Sequence, residues 1–140
     1  MDCLFCKIVN GEIPSVKIFE NEDVFAFLDI GSLTMGHCLV IPKKHFENIF
    51  DIDNDTLCKI VSVAKNIAEN AKRNLGATGV QLVNASGKDA EQSVFHFHLH
   101  VIPRYEGDGL KMNDWWQTKA QHPADEELKK IAEKLKLQAN

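Results

Sequence analysis

Three histidines, His96, His98 and His100, alternate with apolar residues in the segment Val-Phe-His-Phe-His-Leu-His-Val-Ile at 94–102. This two-residue period is typical of a half-buried β-strand, in which successive side chains point to opposite faces. We therefore predict that the three imidazoles lie on one face, about 6.5–7 Å apart, while the flanking apolar side chains pack into a core. Imidazole titrates near neutral pH and can act as a nucleophile, as an acid or base, or as a metal ligand.

The same spacing limits the metal chemistry that the row of histidines can perform. Along a straight strand His96 and His100 lie about 13 Å apart, at ~3.3 Å per residue. Zinc binds an imidazole nitrogen at about 2.0–2.1 Å, so the three histidines cannot all ligate one ion. Two of them could share an ion with other residues, which leaves the rest of the row free to act on a substrate.

Cys3 and Cys6 have the spacing of a zinc knuckle, in which two thiolates share one tetrahedral ion. No pair of histidines at short spacing follows, so the other two ligands must come from distant parts of the chain, and His45 and His96 are the candidates. A redox-active pair is an alternative, but no thioredoxin-like βαβ pattern surrounds it. A pair of plain thiols is the third possibility.

Composition sets the class of protein. The 140 residues are 44% hydrophobic and 26% charged, which is ordinary for a soluble protein, and we predict a single domain over 1–140. A net charge of −4 gives no broad basic surface for nucleic acid, and no apolar stretch approaches the ~18–20 residues of a membrane span. With no visible signal peptide, four cysteines predict a cytoplasmic protein with free thiols or metal ligands. Two of them, Cys38 and Cys58, are expected to be buried.

The periodicity predicts an α+β fold with a five-stranded, mainly antiparallel sheet. We expect strands at 16–20, 24–29, 37–41, 80–85 and 94–102, the first two forming a hairpin. A short helix precedes them, and one long central helix is expected to begin at Asp53 or Asp55 and to end at Gly76. A C-terminal helix is expected at about 124–137, after a weakly patterned segment.

The row of histidines resembles the signature of the histidine triad family, His-φ-His-φ-His-φ-φ with φ apolar, which residues 96–102 match at every position. The preceding Gln-Ser-Val-Phe at 92–95 resembles the nucleoside phosphoramidase branch of that family. A second block resembles the same branch: Phe-Ala-Phe-Leu-Asp-Ile at 25–30, followed by Gly-His-Cys-Leu-Val-Ile-Pro-Lys-Lys-His at 36–45. The resemblance covers about residues 3–104 and implies a five-stranded antiparallel sheet and a homodimer.

The resemblance also implies an activity, the cleavage of a P–N or P–O bond at the α-phosphate of a purine nucleotide through a phosphohistidine intermediate. It places the nucleophile at His98. His100 would hydrogen-bond the phosphate and the leaving group, and His37 would help to protonate the leaving group. A diadenosine polyphosphate hydrolase and a nucleotide-binding scaffold protein are the alternatives, although a pure binder needs no nucleophile.

For the nucleotide, the resemblance implies that Asn84 and Ser93 contact the α-phosphate and that Asp29 accepts the ribose hydroxyls. Gln92 offers a further amide donor beside them. Apolar walls for a purine could come from Phe5, Ile8, Phe27 and Ile30, with plain core as the alternative for Phe27 and Ile30. The leaving group and the choice between adenine and guanine stay open.

Some bacterial members of the family carry a structural zinc ion on a CxxC pair, the histidine after Pro-Lys-Lys and the first triad histidine. That resemblance implies zinc on Cys3, Cys6, His45 and His96. The sequence departs from the branch in the loop 85–91, which has fewer glycines than usual and has Glu91 where glycine is frequent.

Overall fold

The computed structural model describes residues 2–139, which form two compact units divided between Asp108 and Gly109. The first unit carries every strand and all the residues considered above for chemistry. None of the helices in residues 2–139 is long and apolar enough to cross a membrane. The prediction of a single domain over 1–140 stays a prediction.

The five strands of the first unit form one antiparallel sheet, which confirms the predicted α+β fold. The strands are β1 Lys17–Glu20, β2 Val24–Leu28, β3 Cys38–Pro42, β4 Gly79–Val83 and β5 Leu99–Arg104. Their order across the sheet is β1-β2-β3-β5-β4. β3 is therefore central and almost wholly buried, whereas β1 and β4 are the two edges.

Two helices pack on the sheet of the first unit, the short α1 at Leu4–Val9 and the long α2 at Asn54–Leu75. The long helix α2 covers one face of the sheet. It begins where the Asp53 side chain accepts a hydrogen bond from the Thr56 N–H at 2.8 Å, which satisfies a free donor of the first turn. It ends at Gly76, whose φ of 75° is the left-handed conformation that glycine favours. The core between α2 and the sheet includes Val24, Ala26, Val40, Ile60, Ala64, Phe97 and Val101.

The short helix α1, Leu4–Val9, packs on the opposite face of the sheet. Its Phe5 joins a second apolar cluster with Phe27 of β2 and Leu39 of β3. His100 lies directly opposite Leu39 in the β3–β5 ladder, and residues opposite each other in a ladder share a face. The third triad histidine therefore lies on the α1 face.

The strand predicted at 94–102 is shorter than expected. β5 begins at Leu99, so His96 and His98 precede the strand instead of lying within it. The rings of His98 and His100 are also closer than in a straight strand, with centroids 5.2 Å apart.

The main chain just before β5 makes a hydrogen bond outside the sheet. The register of β3 with β5, if continued, would place Phe97 opposite Pro42. The Phe97 N–H donates instead to the Phe46 carbonyl at 2.7 Å. The chain is outside the sheet before that point, and Phe95 is 45% exposed, so its predicted place in the core is wrong.

The prediction of two buried cysteines holds for one of them. Cys38 on β3 is fully buried, in agreement with its position in the central strand. Cys58 is exposed, so that expectation is wrong. It lies on α2 two positions before the buried Ile60, a spacing that places it on a different side of the helix from the core.

The second unit contains two helices, α3 at Asp114–Lys119 and α4 at Asp125–Leu135. α4 is the predicted C-terminal helix, and its first turn carries three acidic side chains while Lys134 lies in its last turn, as the helix dipole favours. α3 was not predicted, because one and a half turns carry too few residues for a recognisable period.

Candidate functional site

A cavity of about 300 Å³ lies on the α1 face of the sheet, between α1, the end of β2 and the triad segment. Among the residues that line it, the sequence pointed to Phe5, Ile8, Phe27, Asp29, Ile30, Ser93, His98 and His100. Leu39, Ile13 and Pro14 also line the cavity and were missed. A signal for Leu39 existed, since it follows His37 by two positions on a strand and therefore shares its face.

A main-chain carbonyl fixes the tautomer of His98. The Nδ1 atom of His98 lies 2.8 Å from the carbonyl oxygen of His96. A carbonyl can only accept, so Nδ1 carries the proton and Nε2 carries the lone pair. Burial lowers the pKa of His98, opposed in part by its hydrogen bond to His96 and by the charge of Asp29, so the ring is neutral at pH 7.

A second chain of hydrogen bonds fixes His37 and His100. The Leu33 N–H donates to Nδ1 of His37 at 3.0 Å, so the proton of that neutral ring is on Nε2. Nε2 of His37 lies 2.9 Å from Nδ1 of His100, which must accept, so the proton of His100 is on its own Nε2. His100 therefore contributes an N–H donor at the cavity.

Burial keeps both of these rings neutral. Desolvation lowers the pKa of His37, against a smaller opposing effect of the Asp29 charge. Desolvation, with the nearby His98 and His37, lowers the pKa of His100 to about 4. At neutral pH the cavity thus presents one imidazole lone pair and one imidazole donor, not two cations.

Asn84 and Gln92, expected as phosphate donors, lie outside the cavity and bind the main chain around it. Asn84 Nδ2 donates to the carbonyl of His98 at 2.9 Å. Gln92 Nε2 donates to the carbonyls of Glu47 and Val94 at 2.7 and 3.0 Å. Its Oε1 accepts from the Gly87 N–H of the preceding loop at 2.8 Å, so these contacts engage its donors and its acceptor.

The loop between β4 and the triad contains a 3₁₀ turn at Lys88–Ala90. Glu91 follows it with a φ of 62°, the left-handed conformation that glycine adopts without strain. Its carboxylate does not line the cavity. The presence of Glu91 in place of the frequent glycine therefore affects the backbone conformation of the loop and adds no carboxylate to the cavity. Ser93 remains the hydroxyl donor that lines the cavity.

Three of the five predicted base and ribose contacts lie at the end of β2 or just after it, and they differ in exposure. Phe27 is buried and meets the Phe5 ring edge to face at 5.7 Å, whereas Ile30 is fully exposed at the cavity mouth. One carboxylate oxygen of Asp29 accepts from the Gly31 N–H at 2.9 Å, and the other lies 3.6 Å from Nε2 of His37.

A group of four metal-ligating side chains lies beside the cavity, with their ligand atoms all within 4.8 Å of one another: Cys3, Cys6, His45 and His96. The sulfur of Cys3 lies 3.4 Å from Nδ1 of His96, and that of Cys6 lies 3.5 and 3.6 Å from the Nδ1 atoms of His45 and His96. A tetrahedral zinc ion with bonds of about 2.3 Å to sulfur and about 2.0–2.1 Å to nitrogen requires an S···N separation of about 3.6 Å. The four side chains therefore fit zinc.

Two further observations agree with a metal at this group. His96 Nε2 donates to the Pro42 carbonyl at 2.8 Å, which leaves the Nδ1 lone pair directed at the sulfurs free to ligate. Desolvation and the neighbouring Cys3 raise the pKa of Cys6 to about 11. A raised pKa means that burial disfavours the thiolate form, and a zinc ion that binds the sulfurs would displace their protons and stabilise the thiolates.

Asp29, His37 and His100 form a second compact group, but their hydrogen bonds oppose a metal. A ligating nitrogen needs a lone pair, and Nε2 of His37 carries a proton because Nδ1 accepts from Leu33. The other tautomer would place two N–H groups against each other at 3.0 Å. This group is suited to proton and phosphate contacts, whereas the cysteine-containing group is suited to zinc.

Sequence comparison finds the HIT domain at residues 10–107. An uncharacterized HIT-like protein of Methanocaldococcus jannaschii is 50% identical over 107 residues, which cover 76% of this chain and 82% of that protein. The protein hit of Bacillus subtilis is 41% identical over 135 residues, which cover 96% of this chain and 92% of that protein.

Solved structures show the same fold. A member of the HIT family from Bacillus subtilis matches with a TM-score of 0.86 and 37% identity over the whole of both chains. A zinc-bound histidine triad family protein from Mycobacterium smegmatis matches with a TM-score of 0.77 and 42% identity, over 80% of this chain and 81% of that chain. A HIT family hydrolase from Legionella pneumophila has a TM-score of 0.67 and 38% identity, over 79% and 96%.

Proposed function

The chain belongs to the HIT domain family, and on that premise we propose that it hydrolyses a P–N or P–O bond at the α-phosphate of a purine nucleotide. The observation that carries the proposal is the fixed tautomer of His98, which leaves the Nε2 lone pair of a cavity residue free to attack. A similar structure described as a HIT family hydrolase supports the reaction class.

The reaction runs in two steps. Nε2 of His98 bonds to the α-phosphorus as the P–N or P–O bond breaks, and the departing nitrogen or oxygen takes the electron pair and a proton from water. The phosphorylated ring is cationic, and its Nδ1–H bond to the His96 carbonyl strengthens as that charge develops. Water then attacks phosphorus, which releases the nucleoside monophosphate and restores the neutral imidazole.

The other polar groups of the cavity are suited to holding the phosphate. His100 offers its Nε2–H and Ser93 its hydroxyl, and both line the cavity with His98. Donors fixed before the reaction stabilise charge on the transferring phosphoryl oxygens without reorganisation. His37 acts as the residue that orients His100, and Asn84 as the one that holds the His98 main chain.

The apolar part of the cavity is suited to a purine. Phe5, Ile8, Phe27 and Leu39 form its buried walls, and its volume of about 300 Å³ is within the range of small-molecule sites. Aromatic and aliphatic walls recognise the area of a base more than its edge, so adenine and guanine are both expected to bind.

The decisive experiment combines turnover with detection of the covalent intermediate. The protein is mixed with adenosine phosphoramidate, AMP release is followed by chromatography, and the intact protein is quenched and weighed by mass spectrometry. We expect AMP release together with an adduct of one adenylyl group. If folded, zinc-loaded protein yields neither AMP nor the adduct, the proposed function is contradicted.

Ribose recognition gives a separate prediction. If Asp29 accepts the ribose hydroxyls, 2′-deoxy-AMP should bind about 5- to 150-fold more weakly than AMP, because a buried acceptor without its donor costs about 1–3 kcal/mol. Calorimetry with AMP, GMP, CMP and 2′-deoxy-AMP measures this, with the Asp29→Ala variant as control, in which AMP and 2′-deoxy-AMP should bind alike. Equal binding of both sugars by the unmodified chain removes Asp29 from this role.

The pH profile gives another prediction. Burial brings the pKa of His100 to about 4, so that ring stays neutral well below the ordinary histidine pKa of about 6.5, and burial also lowers the pKa of His37. A lowered pKa means that protonation, and loss of activity, begins only at more acidic pH. We expect kcat/KM to stay flat from about pH 8 to below 6, measured with free zinc buffered. A fall centred on 6.5 would indicate a solvated essential histidine.

Cys3, Cys6, His45 and His96 form a structural zinc site, with a donor set and spacing that match the metal. When bound, zinc would supply a tetrahedral anchor that joins two residues of the N-terminal segment to His45, which follows β3, and His96, which precedes β5. His98 and His100 are not part of it, so the site separates metal binding from catalysis.

We also propose that the chain forms a homodimer through the β4 edge of the sheet. β4 exposes Val80 and Leu82, at 43% and 46%, and Gly79–Val83 contains no charged residue. The opposite edge, β1, carries Lys17 and Glu20, and charges discourage edge pairing. Sedimentation equilibrium of the full chain should show twice the chain mass, and a monomer at micromolar concentration would contradict the dimer.

A further inference from the structure

The N-terminal segment is attached to the rest of the chain in an unusual way. Within the described residues, the polar contacts of 2–13 stay inside that segment, as in the bonds of Lys7 to Asp2 and of the Ile13 N–H to the Lys7 carbonyl. The exceptions are the contacts of Cys3 and Cys6 with the two zinc-site histidines. Apart from the metal site, apolar packing alone holds α1 on the sheet.

The same helix forms a wall of the nucleotide cavity. Leu4, Phe5 and Ile8 line the cavity, and they alternate along α1 with the two cysteines. The six-residue helix and its N-cap, Cys3, therefore carry two metal ligands and three wall residues. Any change in how firmly the metal holds α1 changes how often that wall is in place.

The Phe5 side chain contacts both the zinc site and the wall of the cavity. Its ring meets the zinc ligand His96 edge to face with centroids 5.9 Å apart, and the nucleophile His98 at 5.2 Å. The same ring packs on Phe27 of the cavity wall at 5.7 Å. With an exposed fraction of 5%, this side chain has no room to move independently of the helix.

We propose that zinc binding and nucleotide binding are coupled through α1, so that zinc occupancy raises the nucleotide affinity and a bound nucleotide raises the zinc affinity. The coupling rests on the proposed function, since it takes the ligand of the cavity to be a purine nucleotide. Zinc fixes α1 against the sheet before the nucleotide arrives. Without zinc, part of the binding energy is spent on ordering the wall, and the apparent affinity equals the intrinsic affinity multiplied by the fraction of molecules in which the wall is formed.

The two effects must have the same size. Thermodynamic linkage requires that if zinc tightens nucleotide binding by some factor, nucleotide tightens zinc binding by that factor. We expect about tenfold, inside the roughly 5- to 150-fold range that is typical of coupled sites. The chemical step should be little affected, so zinc loss should raise KM more than it lowers kcat.

The first experiment uses the zinc-loaded protein as it exists. Zinc transfer to a chromophoric chelator is followed to equilibrium with and without saturating AMP, and we expect AMP to lower the apparent zinc dissociation constant about tenfold. AMP that binds zinc in solution would act in the opposite direction, because it would compete for the metal. Cys58→Ser removes the exposed thiol outside both sites and should behave as the unmodified chain does.

Phe5→Leu separates the coupling from a general loss of stability. Leucine keeps an apolar side chain at the position but removes the ring that touches both His96 and His98. We expect zinc still to bind and AMP still to bind, with the effect of AMP on zinc transfer reduced to nearly onefold. A Phe5→Leu variant that keeps the full tenfold effect would overturn the route through α1.

Calorimetry closes the cycle. AMP affinity is measured for the zinc-loaded protein and for Cys3→Ser/Cys6→Ser, whose folding is checked by circular dichroism at low temperature, and the ratio should match the factor in zinc transfer. If AMP binds the zinc-loaded protein but leaves zinc transfer unchanged, the coupling is wrong and the proposed function stands. If AMP does not bind the zinc-loaded protein at all, both are wrong.

Discussion

Replacement of His98 by alanine should abolish turnover, lowering kcat by several orders of magnitude while AMP affinity changes only a few-fold. The nucleophile forms the bond to phosphorus, so no other group in the cavity can take its place. Its lone pair is free because Nδ1 donates to the His96 carbonyl, whereas the lone pair of His100 is already engaged by His37. Single-turnover kinetics with adenosine phosphoramidate and calorimetry with AMP separate the two quantities.

Two comparisons make the result specific. His122→Ala changes a histidine in the second unit, outside the cavity and the zinc site, and should leave kcat as it is. His100→Ala removes a donor and not the nucleophile, so it should lose less than His98→Ala. A His98→Ala variant that retains a sizeable fraction of the unmodified activity, or that still forms the covalent adduct, excludes His98 as the nucleophile.

Loss of the zinc site should have the largest effect on stability. Ligand binding to the folded state alone stabilises it by about 4 kcal/mol when free zinc is 1,000 times its dissociation constant. For a domain of this size that corresponds to roughly 8–16 °C in melting temperature, at about 2–4 °C per kcal/mol. Cys3→Ser/Cys6→Ser should therefore contain no zinc by elemental analysis and should melt lower by that amount in calorimetry.

The matched control for this variant is Cys58→Ser, which replaces an exposed cysteine outside the site and should retain one zinc ion and the original melting temperature. Absence of zinc from metal-replete unmodified protein would reject the site. A loss of kcat as large as that of His98→Ala would reject its structural role, because the proposed zinc ligands do not include the reacting group.

Alternation along the chain predicted the antiparallel sheet and the face on which His100 lies. The two-residue period predicted that the side chains of His100 and Val101 point to opposite faces of the sheet, and in the structure they do. The hydrophobic pattern could not reveal where the pairing of β5 with β3 starts, because that depends on which residue of β3 lies opposite each residue of β5. The ladder of β5 with β3 starts at the pair Val40–Leu99, and only the register of two distant strands shows it.

The roles of polar residues near the site were harder to predict. Gln92 and Ser93 are adjacent in the sequence and both offer donors, yet one binds the surrounding main chain and the other lines the cavity. Side-chain chemistry says what a residue can donate, not which of several acceptors it meets. The metal ligands were easier, because thiolates paired with imidazoles in one cluster have few uses other than a metal.

The backbone sets the tautomers of His37, His96 and His98, and through His37 that of His100, and this bears on mutational robustness. The partners are the carbonyl of His96, the carbonyl of Pro42 and the N–H of Leu33. The side chain of Leu33 is 54% exposed, so many residues other than proline can replace it without altering the bond that orients His37. Sequence drift around the cavity can therefore change the shape and charge of its rim, and hence the molecules it accepts, while the protons of the reacting rings stay where they are.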